Sequence, residues 1–430
     1  MKTLFALLSV ALVFNARAEQ IFNVRDFGAK GNGQTVDTAA IQKALDECND
    51  AGGGTVRFPA GVYLSQPLTL RGSKMTLEID SGATLLATTN QTDFMKTPGD
   101  WLKAKSSSDF VSFISGKGLT DLTFIGGGTV DGSGAAWWGE AEKARERVAG
   151  FTLPRPNLIT LLRCQNVRME NITLQNSPKY NFVPDECEEL VVSNVTILNP
   201  DNTANTDGID PNNCKDVLIT KCRIDTGDDN IAIKTGHKVK GREFAVENIR
   251  VTDCTFLHGH GMSIGGETVG GVHHVIVENC TFENTENGIR IKSQRGKGGL
   301  VEDIVYQDIR MKNVDPAITF TSYYMYSSAK DPVQKATPQQ DVAQPMTETT
   351  PVYRDIHINN LTATCEDAAG SIVGLPESPI SDVAFDNVKI SAQRGLKIQN
   401  ADKIQLAGAH VTVNNGQPFI LQNAQVTGQQ

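Results

Sequence analysis

The feature that most limits what this chain can fold into is a recurring eight-residue stretch: VRMENITL (167–174), LVVSNVTI (190–197), VLITKCRI (217–224), IRVTDCTF (249–256), VIVENCTF (275–282), IVYQDIRM (304–311), IHINNLTA (356–363) and VAFDNVKI (383–390). Each alternates apolar and polar residues, as a strand with one buried face does. Each also carries an apolar anchor, usually just after Asn or Asp: Ile172, Val195, Cys222, Cys254, Cys280, Ile309, Leu361 and Val388. The anchors recur at intervals of 23 to 32 residues, with one interval of 52 that divides into two turns of 26. Strands repeating at that period, with no helical pattern between them, predict one coil per repeat of a right-handed parallel β-helix. This is an all-β solenoid whose core fills by stacking like residues.

The cysteines follow the repeat. Cys222, Cys254 and Cys280 share the anchor position, and Cys164, Cys187 and Cys214 each lie eight residues before an anchor. Two columns of one residue type read more simply as small buried hydrophobes than as disulfides. Before the first coil, TVDTAAIQKALDEC puts Ala40, Ile41, Ala44, Leu45 and Cys48 on one helical face, with Asp37 or Thr38 as the N-cap. That helix is suited to capping the open end of the solenoid. Residues 88–110, 132–155 and 326–350 read as loop insertions, and no linker marks a second domain, so residues 19–430 are expected to form one β-helix. Residues 1–18, with Lys2, an apolar run from Leu4 to Phe14 and Ala16-Arg17-Ala18, have the form of a secretory signal. An exported, secreted protein that acts as a monomer is therefore expected, with no membrane-spanning segment. Forty basic residues against 49 acidic ones argue against a nucleic-acid surface. The Asn-x-Thr sequons at Asn171, Asn194, Asn279 and Asn360 fall on the repeat, which explains them without glycosylation.

In a solenoid, residues that share a coil position become neighbours. Six residues past the anchor stand Asp228, His260 and Glu286; twelve past it stand Asp207, Lys234 and Lys292, with Arg290 on the same strand face as Lys292. Asp207, Asp228, Asp229, His260, Arg290 and Lys292 should therefore gather on one wall. Glycoside hydrolysis needs one carboxylic acid to protonate the leaving oxygen and one carboxylate to activate water or attack carbon. Crowded carboxylates keep one of their number protonated near neutral pH. Two cations beside them suit a sugar that is itself a carboxylate, so the predicted substrate is a uronic-acid polymer.

The motifs NTDGID, TGDDNIAIK, GHGMSIGGET and NGIRIKS, in this order, resemble the polygalacturonases of glycoside hydrolase family 28. The early FNVRDFGAKGNGQTVDTAAIQKALDEC is similar to the N-terminal stretch of many pectin-active β-helices. The resemblance implies inverting, endo-acting hydrolysis of α-1,4 bonds between galacturonic acid units of pectin, since GHGMSIGGET and IRIKS are very similar to the same motifs in secreted bacterial endo-polygalacturonases. It implies Asp228 as the general acid, Asp207 with Asp229 as the pair that activates water, and His260 as support for the acid. Arg290 and Lys292 would bind the substrate carboxylate. Tyr323, in PAITFTSYY with Tyr324 adjacent, lies where the family carries a substrate-contacting tyrosine. Lys234 and Asn205, within the same motifs, are expected to face the substrate.

Three alternatives stay open. Exo-acting polygalacturonases and rhamnogalacturonan or xylogalacturonan hydrolases share the scaffold, although His260 in GHG favours homogalacturonan. A pectate lyase would use Ca²⁺ on the same polymer. A non-catalytic, polysaccharide-binding β-helix would explain the solenoid and the cations but not the clustered aspartates. No cofactor is expected, and the histidines at 258, 260, 273 and 274 offer no convincing metal-ligand set.

Overall fold

The eight anchors stack into one column. In the computed structural model of the chain, which describes residues 20–147, 153–324 and 341–428, the carbonyls of Ile172, Val195, Cys222, Cys254 and Cys280 accept the amides of Thr196, Arg223, Thr255, Thr281 and Arg310 at 2.9–3.0 Å. Ile309 pairs with Leu361, and Leu361 with Val388. All eight anchors are buried. The resulting right-handed parallel β-helix builds most coils from three strands, for example Lys215–Thr220, Arg223–Asp225 and Ile231–Thr235. The expected signal at residues 1–18 lies outside the described residues. No described helix is long and apolar enough to cross a membrane.

Direct pairing of Ile309 with Leu361 corrects one expectation. The coils of Ile309 and Leu361 are adjacent, so the interval of 52 does not place a second stacked coil of 26 between them. The residue before each anchor explains the Asn and Asp signature. Asn171, Asn194, Lys221, Asp253, Asn279, Asp308, Asn360 and Asn387 all have φ between 49° and 57°. The chain turns each corner through the left-handed region, which Asn and Asp tolerate best among residues with a Cβ. The corner side chains also form a ladder: Asn387 Nδ2 donates to Asn360 Oδ1 at 2.9 Å, and Asn360 Nδ2 to Asp308 Oδ1 at 3.0 Å. Such a corner asparagine is needed for backbone shape, and the sequons follow from that need.

All eight cysteines are free. Cys222, Cys254 and Cys280 bury their thiols and direct Sγ at the carbonyls of Thr220, Thr252 and Glu278 at 3.2–3.4 Å. They act as small apolar residues with a weak donor. The capping helix, α1 (Thr38–Asp50), buries Ile41, Ala44, Leu45 and Cys48 against the first coil. Its N-cap is Asp37, but the Asp37 carboxylate accepts the Lys30 and Gly31 amides at 2.8 Å each and makes no cap bond. The expected loop at 132–155 is instead largely a second helix, α2 (Ala135–Arg147). Its sequence hid it because only Trp137 and Ala141 are buried, too few to set a period. Trp137 packs edge-on against Phe94, Trp101 and Phe110, so the 88–110 segment and α2 form one unit.

Asn360→Ala should destabilise the protein by about 1–3 kcal/mol, since alanine meets the left-handed penalty and loses two side-chain hydrogen bonds. Asn360→Gly should cost less. Urea denaturation of the three proteins checks this order.

Candidate active site

One sheet of the solenoid is the floor on which the site is built. Ile209, Ile231, Met262 and Ile289 pair in register and point inward, all fully buried. Alternation then turns Asp210, Ala232, Ser263 and Arg290 outward, with Lys234 and Lys292 two residues further along. The aspartate pair sits in the turn just before the Ile231–Thr235 strand. That turn is fixed by buried Asn230, whose Nδ2 donates to the Ile224 and Leu257 carbonyls at 3.1 and 3.3 Å. Its Oδ1 accepts the Gly261 amide at 2.9 Å. His260 lies between Gly259 and Gly261, both at φ 70°. A Cβ at either glycine would come within 2.3 Å of the Asp228 or Asn287 carbonyl oxygen, so the coils close up only around glycine.

The aspartates, His260, Arg290, Lys292 and Lys234 converge as expected. Asp228 Oδ1 faces His260 Nδ1 at 3.0 Å, and His260 Nε2 faces Glu286 Oε2 at 2.9 Å. Asp228 Oδ2 accepts the Asn205 backbone amide at 3.0 Å, with Asn205 Nδ2 at 3.5 Å. Asn205 thus serves the carboxylate chiefly through its backbone, which turns at φ 56°. Buried Asp229 receives Ser263 Oγ at 2.7 Å and Arg290 Nη1 at 3.5 Å on one oxygen, and Lys292 Nζ at 2.7 Å on the other. Lys234 Nζ bridges Asp207 and Asp210 at 2.8 and 2.7 Å and lies 4.4 Å from the Tyr180 ring centre.

Two expectations need correction. Asp207 does not stand level with Lys234 and Lys292: Asn212 pairs with Lys234, while the Gly208 amide bonds the Asp229 carbonyl, which sets Asp207 beside the aspartate pair. Nine residues separate Cys222 from Ile231 but fourteen separate Val195 from Ile209, and the longer 199–208 turn absorbs the slip. Tyr323 is not the tyrosine at the cations. Its hydroxyl donates to Asp341 at 2.8 Å, whereas the Tyr324 ring lies 5.3 Å from the Arg290 guanidinium and 4.8 Å from Lys292 Nζ. Residues missed in the sequence are Asp210, Ser263, Tyr180 and Tyr324. The first two were legible as outward positions of the floor strands within NTDGID and GHGMSIGG.

The three aspartates have three different electrostatic states. Burial, reinforced by Asp210 and opposed by Lys234, pushes Asp207 well above the usual carboxylate range, and burial raises Asp210 to about 6. Burial also acts on Asp228 and Asp229, but there it is overridden. The hydrogen bond and charge of His260, with Lys292 behind it, hold Asp228 below the usual range, and Lys292 and Arg290 do the same for Asp229. Burial would lower His260, yet Asp228 and Glu286 raise it to about 10. These directions favour the protonated form of Asp207, the imidazolium of His260 and the ionised forms of Asp228 and Asp229. Donor atoms of Asp228, Asp229 and His260 lie within 4.8 Å of one another, close enough for a cation. Lys292, Arg290 and a protonated imidazole already supply positive charge there, so these residues do not fit a metal.

The fold agrees with comparisons to known proteins. The family model described as glycosyl hydrolases family 28 matches residues 48–411. The endo-polygalacturonase of Pectobacterium parmentieri is 32% identical over 377 residues, 85% of this chain and 87% of that protein. The polygalacturonase structure from Erwinia carotovora ssp. carotovora superposes with a TM-score of 0.69 at 28% identity, covering 92% of this chain and 97% of the other. A family 28 exopolygalacturonase from Yersinia enterocolitica superposes at 0.77 with 23% identity, covering 96% and 79%. The chain belongs to glycosyl hydrolases family 28. It is a glycoside hydrolase on a parallel β-helix.

His260 binds its proton more tightly when folded, near pH 10, than when unfolded, near ~6.5. Its contribution to stability is therefore complete below about pH 6.5 and lost as pH rises through 10. Unfolding free energy should fall more steeply from pH 7 to 10 in the parent protein than in His260→Gln. Parallel pH curves would mean that the imidazole is neutral.

Proposed function

We propose that this glycoside hydrolase is a polygalacturonase that cleaves internal α-1,4 bonds of homogalacturonan with inversion. One observation carries the reading: a cluster of buried carboxylates shares one face with Arg290 and Lys292, cations that a neutral sugar would not use. The endo-polygalacturonase among the relatives supports the same substrate class.

In the proposed mechanism the galacturonate carboxylate at the scissile bond binds Arg290 and Lys292, and Tyr324 forms the wall behind them. Asp228 is the general acid. Before substrate arrives, its proton resides on His260 Nδ1, 3.0 Å away. Substrate covers the exposed edges of both side chains and removes the water that favours the ion pair. The neutral pair then gains, and the proton moves to Asp228 within reach of the leaving oxygen. Asp229, ionised by its cations, takes the proton of the attacking water. Asp207 orients that water through Oδ1, a buried oxygen that has no hydrogen-bond partner among the described groups. Attack from the face opposite the leaving group inverts the anomeric carbon.

The test is to incubate the protein with de-esterified polygalacturonate in the presence of chelator. New reducing ends without ultraviolet-absorbing product, with an early fall in viscosity, are expected. Absorbance that disappears with chelator would point to elimination, and reducing ends released without viscosity loss would point to exo action. Asp228→Asn should lower kcat by about 10²–10⁴ while KM changes little. Retained activity in that variant would remove Asp228 from the acid role.

A further inference from the structure

One buried charge is left over by this mechanism. Arg155 stands four residues before Ile159 of the Ile159–Leu162 strand, and Asn205 four residues before Ile209. Ile159 pairs with Phe182 and Phe182 with Ile209, so Arg155 and Asn205 share a coil position two coils apart, with Pro178 at the same count between them. Two strand steps of ~4.8 Å separate them, a gap that a guanidinium on its long stem spans. Arg155 is only 1% exposed, and no carboxylate pairs with it among the described residues. Its Nε is buried without a hydrogen-bond partner there. Burial pushes the guanidinium down to about 10, against the pull of Tyr180, Asp228, Asp207 and Glu142, so it is charged at neutral pH. A buried cation without a counter-ion is unfavourable to the fold, which points to a use.

Its contacts supply one. Arg155 Nη2 donates to the Ala204 carbonyl at 2.8 Å and to Asn205 Oδ1 at 3.4 Å. Asp228 Oδ2 accepts the Asn205 backbone N–H at 3.0 Å and lies 3.5 Å from Asn205 Nδ2. The Ala204 carbonyl and the Asn205 N–H belong to one planar peptide group and point to opposite sides of it. The Asn205 side-chain amide repeats the arrangement. Each amide turns its oxygen to Arg155 and its nitrogen to Asp228. A cation at the oxygen end draws electron density from the nitrogen and strengthens the N–H as a donor. We propose that Arg155 is a positioning residue for the general acid, acting on Asp228 through these two amides. It holds the 199–208 turn with Asn205 at φ 56° and its amide aimed at the carboxylate. It also makes Asp228, once protonated, a stronger acid toward the leaving oxygen. The other charged groups around Asp228 are His260 with Glu286 behind it, Lys292, Asp229 and Asp207. Around Arg155 they are Tyr180, Asp207, Glu142 of α2 and Lys179. None of them belongs to the amide path.

This inference rests on the reading of Asp228 as the general acid, and the experiment separates the two. kcat and KM on polygalacturonate would be followed against pH, beside the melting temperature, for the parent protein, Arg155→Met, Arg155→Gln and Arg155→Lys. Methionine removes the charge and the donor, and an apolar side chain in place of an unpaired buried ion should not weaken the fold. The expected result is a melting temperature at or above the parent's, with kcat lowered roughly tenfold and KM little changed. The basic limb of kcat should move to higher pH, because the Asp228–His260 pair then binds its proton more tightly. Arg155→Gln, also neutral, should show the same displacement. Arg155→Lys keeps the charge and should leave the limb in place and recover most of kcat. Activity lost alike at every pH, together with a lower melting temperature, makes Arg155 a structural residue and overturns the proposal. A parental profile in both neutral variants does the same. Retained activity in Asp228→Asn would sink the acid reading and this inference with it, whereas an impaired Asp228→Asn beside parental Arg155 variants overturns this inference alone.

Discussion

In-register pairing of parallel strands is the constraint on which the rest of this protein depends. Each strand lies ~4.8 Å from the equivalent strand of the coils before and after it, so a position in the repeat becomes a column along the molecule. Inward columns must be apolar, corner columns must tolerate left-handed backbone, and outward columns are free to carry chemistry. The anchors, the Asn corners and the floor of the groove are three such columns. A misplaced polar group inward would disturb two neighbours as well as its own coil. Helix α1 meets the same constraint at the N-terminal end, where Ile41, Ala44, Leu45 and Cys48 cover apolar surface of the first coil, which has no preceding coil among the described residues.

Because neighbours are set by register, the solenoid can hold like charges at distances that a loop cluster would relax. Burying Asp207, Asp210 and Asp229 together is unfavourable, and ion pairing with Lys234 and Lys292 offsets that cost. The cations are distributed unevenly. One lysine serves Asp207 and Asp210 together, whereas Asp229 alone has Lys292 and Arg290. That asymmetry shifts Asp207 toward its protonated form and Asp229 toward its ionised form, although both are buried aspartates of the same face.

Much of this was legible in the sequence because the repeat is strict where the core demands it. The anchor column, the free cysteines and the convergence of Asp228, Asp229, His260, Arg290 and Lys292 all follow from counting forward or back from the anchor of each coil. Reading failed where coil length is set by something other than the core. The 199–208 turn lengthened one coil and slipped Asp207 out of the lysine column. The interval of 52 between Ile309 and Leu361 imitated a missing coil. Helix α2 rests on one tryptophan in an aromatic cluster that only the folded chain assembles. For Tyr323 and Tyr324, adjacent residues point to opposite sides, and alternation alone could not say which one meets the cations.

The charge balance of the site bears on how an acidic protein accepts an acidic polymer. With Asp207 shifted toward its protonated form, the carboxylates of Asp210, Asp228, Asp229 and Glu286 are paired with Lys234, His260, Arg290 and Lys292. An incoming uronate therefore meets a locally neutral face rather than the net charge of the whole chain. On the proposed reading it also competes with Asp229 for Arg290 and Lys292. As those cations lean toward the substrate, the influence that holds Asp229 low weakens and its affinity for a proton rises. The group that must take a proton from water thus becomes a stronger base when substrate is present, and the cations that bind the sugar are the ones that set this timing.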